Sequence, residues 1–414
     1  MTDPDPTNGE LPMAEQNVDS VDSVDSVGEK VLDAVRELLP TLRERAVTAE
    51  QGRRIPAESI RALQETGVLR LLQPRRYGGH EAHPIVFYRA VRLIASACGS
   101  TGWVTSVLGV HPWHVGLFAE EAQREVWAED LDIRISSSYA PVGRATPVDG
   151  GYRFSGRWSF SSGSDHATWV LVGGLVIGAD GVPTDFRTFL LPRSDYQVID
   201  VWDTVGLRGT GSNDVLIEDA FVPEHRTLSF KLTARCDCPG QELNDGPLFR
   251  MPYGSIHPFA ITAPLIGMAD GAYEAYVGAT RKRIRASYLG EKAKEDVFAQ
   301  VRVAKASGEI DAAWLSLEHT INEEYALASQ EAAIPVGLRL RGRRDQVLGS
   351  ARAITAVDSL FESAGGKAIN ADTTISRFWR DAHAAKVHAA NDLERALTMY
   401  GRSEFGLQPQ DGLF

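Results

Sequence analysis

The stretch GRWSFSSGSDHATW, residues 156–169, begins as a strand and then breaks its own pattern. Trp158 and Phe160 alternate with Arg157, Ser159 and Ser161, the period of two that sends successive side chains to opposite faces of a sheet. Ser162, Gly163, Ser164, Asp165 and His166 then form a small, polar, glycine-broken segment before Trp169. A strand that only packs a sandwich has no need of such a segment, so it is a candidate site. Its surroundings are also β in texture. Asp149-Gly150-Gly151 reads as a hairpin turn, Tyr152 and Phe154 extend the alternation, and residues 168–178, 186–192 and 212–223 read as further strands.

Helical patterns flank this region. Val31, Val35, Leu38, Leu39 and Leu42 recur at helical spacing, Pro56 starts a segment that Gly67 stops, and residues 84–110 are long, apolar and helix-compatible. Beyond residue 257, Ile310, Ala313, Leu317, Ile321 and Tyr325 form one stripe. Ile354, Val357, Phe361 and Ala364 form a second, ended by Gly365-Gly366. With segments at 257–288 and 373–398, these make a four-helix bundle. The expected fold class is mainly α with a central β-domain: an acidic, disordered tail over 1–27, a helical domain over 28–134, a β-barrel domain over 135–248 and a C-terminal bundle over 249–414.

The 414 residues carry a net charge of −12, of which −7 lies in residues 1–30 and its VDSVDSVDS repeat (18–26). The remaining −5 is a mild acidity that argues against a nucleic-acid partner. The three cysteines, Cys98, Cys236 and Cys238, have no zinc-site spacing and read as reduced thiols; no histidine spacing suggests a metal. No signal peptide opens the chain, and no apolar run reaches the roughly 18 residues of a membrane span. A cytoplasmic protein is expected.

The helix–sheet–helix order, together with ACGSTGWV (97–104), RISSSYAPVG (134–143), GRWSFSSGSDHATW, DVWDTVGLRGTGSNDV (200–215) and RFWRDAHAAKVHAANDLERA (377–396), resembles the acyl-CoA dehydrogenase fold. More closely, it resembles the branch used by two-component, reduced-flavin-dependent monooxygenases. That resemblance implies reduced FMN, with reduced FAD possible, dioxygen as co-substrate, and an NADH-dependent flavin reductase as partner. It also implies a homotetramer and ortho hydroxylation of a small aromatic substrate, the phenolic ring of a secosteroid in steroid breakdown. An N-oxygenase of an amino group and an acyl-CoA dehydrogenase are the alternatives within the fold, and a catalytically silent flavin or aromatic binder lies outside it. No motif marks the glutamate a dehydrogenase needs.

Site residues follow from the same resemblance. Ser162 is the hydroxyl expected at the flavin ring nitrogen N5, with Trp158 and Phe160 packed near the ring and Ser161, Trp103 and Tyr139 as further cofactor contacts. Gly163 lets the backbone come close. His388 is expected on the final long helix as the base that takes the phenol proton, since an imidazole of pKa about 6.5 can work on a phenol of pKa about 10 near neutrality. Asp381 lies one heptad earlier, too far along a helix to touch it. His111 and Trp113 are candidates for lining the substrate pocket. In RKRIRAS (281–287), Arg283 and Arg285 are expected at a flavin phosphate, across a subunit boundary, and Gly366 beside the cofactor. GLRGTGS (206–212) departs from the GxGxxG fingerprint and has β surroundings, so it reads as a β-domain loop near the flavin or substrate, and NADH is not expected to bind directly.

Overall fold

The computed structural model describes residues 18–285 and 290–409, with side chains from residue 26 onward except that of Arg285. The chain opens on α1 (Val18–Gly52), α2 (Ala57–Glu65), α3 (Pro84–Ala97), α4 (Gly99–Val115) and α5 (Glu120–Trp127). Helix α1 begins at Val18, inside the segment expected to be a disordered tail; residues 1–17 of that segment lie outside the described residues. The apolar run over 84–110 divides at Cys98, whose extended backbone (φ −153°, ψ 113°) separates α3 from α4. Every residue of α4 is buried. A helix apolar on all sides belongs in the middle of a domain, and α4 sits between α3, α7 and the sheet.

The central sheet comprises β1 (Ile135–Val148), β2 (Gly151–Ser161), β3 (Trp169–Ile177), β4 (Pro183–Pro192), β5 (Gln197–Ile199), β6 (Asn213–Pro223) and β7 (Thr227–Ser229). Their order is β5-β6-β2-β1-β3-β4-β7, with β1 and β3 parallel and the other pairs antiparallel. Phe154, Trp158, Val172, Phe189, Val215 and Ile217, drawn from four strands, meet in one core, so the sheet curls around its own inner face. Its edges are the short strands β5 and β7, which limits exposed pairing surface.

The C-terminal part holds α6 (Phe230–Arg235), α7 (Tyr253–Lys282), the ribbon β8 (Ile284–Arg285) and β9 (Glu291–Lys292), α8 (Val297–Ser329), α9 (Val336–Ser363), α10 (Thr374–Lys386) and α11 (Leu393–Glu404). The helix expected over 373–398 is therefore corrected to two. His388 Nδ1 accepts from Ala390 N at 3.1 Å, Asp392 Oδ1 caps α11 by accepting from Arg395 N at 3.0 Å, and Asn391 Nδ2 donates to Ala385 O at 3.0 Å. These short polar side chains offer the backbone better partners than a continued helix does. His388 consequently sits at a corner rather than on a helix face.

Candidate active site

The opening segment has a structural cause. Pairing between β2 and β6 steps from Trp158↔Val215 to Ser161↔Asn213, so β2 carries one extra residue there, a β-bulge. The bulge reverses the inward–outward alternation. Phe160, expected on the same side as Trp158, is 70 % exposed with φ +67°, a conformation an aromatic residue rarely adopts, whereas Ser161 is fully buried. The expectation that Trp158 packs beside the cofactor is corrected: it is wholly inside the sheet core, its indole N–H donating to Gly173 O at 2.8 Å. Ser161 is also turned inward, its hydroxyl donating to Ser136 Oγ at 3.1 Å. Gly163 (φ +73°) seats the turn against α4, where a Cβ would lie 3.2 Å from Val104 and 3.3 Å from Leu108.

Ser162, just past the bulge, belongs to a chain of polar groups. Trp103 Nε1 donates to Ser162 Oγ at 3.1 Å, Ser162 Oγ lies 2.7 Å from Ser212 Oγ, and Ser212 Oγ lies 2.6 Å from Thr210 Oγ1. Thr210 Oγ1 donates to Leu207 O at 2.8 Å. Sequence reading missed Ser212 and Thr210 because their only signal was the small-residue loop GLRGTGS. That loop is anchored from the bundle: Leu207, in left-handed conformation (φ 51°), donates its N–H to Asp381 Oδ1 at 2.6 Å. Burial pushes the Asp381 carboxyl up to about 7.

His388 meets this chain through Trp103, the two rings standing edge-on with centroids 5.7 Å apart. Since its Nδ1 lone pair is taken by Ala390 N–H, the neutral ring carries its proton at Nε2. Burial, with Arg343 nearby, lowers its pKa to about 4, so it is neutral at physiological pH. A neutral imidazole with Nδ1 engaged and Nε2 protonated has no free lone pair. His388 is thus set as a donor, which corrects the expectation of a base at that atom.

A second cluster lies beyond it, where α4, β1 and the start of α7 meet. His111 Nδ1 contacts Ile135 O at 2.6 Å. A carbonyl only accepts, so the proton is on Nδ1 and Nε2 is a bare lone pair; it is buried with no hydrogen-bond partner among the described residues. His114 Nδ1 lies 2.8 Å from Tyr139 Oη. His257, unremarked in the sequence, stacks on Tyr253 (5.0 Å, 11°) and lies 6.4 Å from the His111 ring. Burial lowers His111 to about 4 and His114 to about 3, and His257 well below its ordinary value. Tyr139 is in the middle of this group, 5.3 Å from His257 and 5.9 Å from Tyr253. Trp113 adjoins this cluster, fully buried, with its indole N–H donating to Leu248 O at 3.1 Å.

Arg283 packs elsewhere, against the end of α9 and Gly365, the residue before Gly366. Arg283 Nη1 donates to Ala364 O at 2.7 Å, and a Cβ on Gly365 (φ +81°) would strike the guanidinium at 2.3 Å. Arg283 immediately follows α7 while His257 is near its start, a span of about 39 Å along the helix. The side chain of Arg285 lies outside the described residues. Among the described residues, no cluster of three potential metal ligands occurs and no helix is long and apolar enough to cross a membrane.

Two family models match the chain, "Acyl-CoA dehydrogenase, N-terminal domain" over residues 28–131 and "Acyl-CoA dehydrogenase, C-terminal domain" over 259–393. The flavin-dependent monooxygenase oxygenase subunit HsaA of Rhodococcus jostii is 58% identical over 374 residues, covering 90% of this chain and 98% of the relative. The crystal structure of the 3-HSA hydroxylase from Rhodococcus sp. RHA1 superposes with a TM-score of 0.90 at 57% identity, covering 93% of this chain and 99% of that one. The oxygenase component of an FADH2-dependent resorcinol hydroxylase from a Rhizobium species is 36% identical, covering 89% and 92%. The chain belongs to the flavin-dependent monooxygenase oxygenase subunits. It is an enzyme of the acyl-CoA dehydrogenase fold, its cofactor is a reduced flavin, and as an oxygenase component it is one part of a system whose other part reduces the flavin.

The residues of this oxygenase subunit fit such a ring system. The exposed, strained Phe160 provides an apolar surface edge-on to Trp202 (6.1 Å), and buried Ser162 provides a polar contact next to it. A flat heteroaromatic ring with a polar edge requires that pairing.

Proposed function

We propose that the protein hydroxylates a phenol ortho to its hydroxyl group, and that the phenolic ring of a secosteroid is the natural substrate. The observation that carries the reading is the bare, buried Nε2 lone pair of His111, whose proton is fixed on Nδ1 by Ile135 O while burial keeps the ring neutral. It accepts the phenol O–H, and the proton moves to it as negative charge forms on oxygen. This raises electron density at the ortho carbon. The phenol named in the resorcinol hydroxylase and the similarity to the 3-HSA hydroxylase support the substrate class.

When bound, reduced flavin supplies, with dioxygen, the electrophilic oxygen. Ser162, Phe160, Trp103 and the Ser161 backbone would hold its ring, and His388 presents its Nε2–H beside Trp103. Tyr139 lies on the substrate side with His111. Reduced FMN is the proposed form, with reduced FAD carrying the same ring. Arg283 lies about 39 Å along α7 from His257, and we read Arg283 and Gly366 as serving the phosphate of a flavin on a neighbouring copy within a homotetramer. An NADH-dependent reductase in the same cytoplasm supplies the reduced flavin.

The test is a reconstituted turnover with NADH, a flavin reductase, FMN and labelled dioxygen. A phenolic secosteroid should yield a catechol carrying one labelled oxygen atom. Oxygenation of an amine but not of any phenol would replace this reading with N-oxygenation.

A further inference from the structure

The hydroxyl chain behind Ser162 has a direction. Its far end, Leu207 O, can only accept, and its near end, Trp103 Nε1–H, can only donate. Thr210 spends its one hydroxyl hydrogen on Leu207 O, so in the 2.6 Å contact between Thr210 and Ser212 it is Ser212 that donates. Ser212's hydrogen is then spent, so in the 2.7 Å contact with Ser162 it is Ser162 that donates. Ser162 Oγ is left with no hydrogen to offer and, after accepting from Trp103, one lone pair. Leu207 O also accepts from Trp202 Nε1 at 2.8 Å and Thr210 N at 3.1 Å, so what sets the direction is the approach of two oxygens: reversing the chain would leave Thr210 Oγ1 and Leu207 O 2.8 Å apart with no hydrogen between them.

We infer that Ser212 and Thr210 are positioning residues that make Ser162 a hydrogen-bond acceptor, and so select reduced over oxidised flavin. N5 of a reduced flavin carries a hydrogen and donates; N5 of an oxidised flavin has only a lone pair. An acceptor at Ser162 completes a hydrogen bond with the first and opposes the second. The subunit would thereby take its cofactor from a reductase in the reduced state and hold the oxidised product weakly. The inference rests on the reading that Ser162 faces N5.

The experiment measures dissociation constants of oxidised FMN and, anaerobically, of photoreduced FMN, together with the two-electron potential of the bound flavin. In Ser212→Ala the Ser162 hydrogen is freed for the oxidised ring while a lone pair remains for the reduced one. Oxidised FMN should then bind about tenfold tighter with reduced FMN unchanged, lowering the bound potential by about 30 mV. In Thr210→Val, Ser212 turns its hydrogen onto Ser162. Both Ser162 lone pairs are then filled, so reduced FMN should weaken as oxidised FMN tightens. Ser212→Thr, which keeps the hydroxyl, should restore the wild-type ratio.

Equal weakening of both forms in Ser212→Ala, or an unchanged ratio, would overturn the inference. Ser162→Ala separates the two levels of the argument. If it leaves reduced-FMN affinity unchanged, Ser162 does not face the flavin. If it lowers that affinity while Ser212→Ala and Thr210→Val leave the ratio alone, only the directed chain is wrong. Thr210→Val gives the same reading should Ser212→Ala not fold.

Discussion

The two halves of the active site treat hydrogen differently. Around Ser162 every hydroxyl hydrogen is committed, in sequence, from Trp103 to the carbonyl of Leu207. Around His111, about two turns beyond Trp103 on helix α4, a ring nitrogen has no hydrogen-bond partner among the described residues, with its tautomer fixed from behind by Ile135 O. One half offers a fixed acceptor; the other offers a place for a proton to go. Burial serves both, strengthening each hydrogen bond on the first side and keeping the histidines neutral on the second. The proposed reaction, with oxygen activated on one side and a phenol on the other, calls for these two kinds of polar surface side by side.

The contrast breaks most visibly at His111. His111→Asn keeps a donor for Ile135 O and deletes the lone pair. Hydroxylation should fall by about 10²–10⁴-fold while flavin oxidation continues, with the electrons appearing as hydrogen peroxide. Ser162→Ala should cost less, roughly tenfold in the fraction of flavin oxidation coupled to product, read as peroxide per product formed. Smaller again is His388→Asn. Asparagine keeps the cap on Ala390 N–H but removes Nε2–H, so coupling should fall a few-fold at most and melting temperature should hold.

The smallest effect concerns pH. His111 and His388 are held near 4, below the ordinary 6.5, so the stability they lend is complete above about 6.5 and is lost as pH falls through about 4. Asp381 has the opposite sign. Its carboxyl is raised to about 7, so its contribution is complete below about 4 and is lost as pH rises through about 7. Asp381→Asn, which can still accept from Leu207 N, should remove the loss of stability that Asp381 causes between about pH 4 and about pH 7, read as melting temperature against pH. It should leave the acid limb in place.

Periodicity made the architecture legible, since the helices and the sheet each bury one continuous apolar pattern. It failed where local hydrogen bonding overrides the period. Alternation put Phe160 on the face of Trp158, and one extra residue in β2 put them on opposite faces. The spacing over 373–398 reads as one helix, and three short polar side chains divide it. Ser162 and His111 stood out as candidates through the motifs around them. Their roles depend on which atom carries the hydrogen, and that is set by Ile135 O, Ala390 N and Leu207 O, backbone groups that no residue type announces. Ser212, Thr210 and His257 were missed because they reach the site only through the packing of distant segments.

The most direct test of the central contrast is the ionisation of a bound phenol. Ultraviolet difference spectra of a phenolic substrate on the enzyme saturated with photoreduced FMN, titrated anaerobically, give its pKa in the site. A phenol whose O–H is accepted by the bare Nε2 of a histidine held near 4 is stabilised in its neutral form, so its bound value should lie above the solution value of about 10, shifted back toward it by His111→Asn and left in place by His388→Asn. A raised value that survives His111→Asn and disappears in His388→Asn would contradict the assignment and make His388 the acceptor.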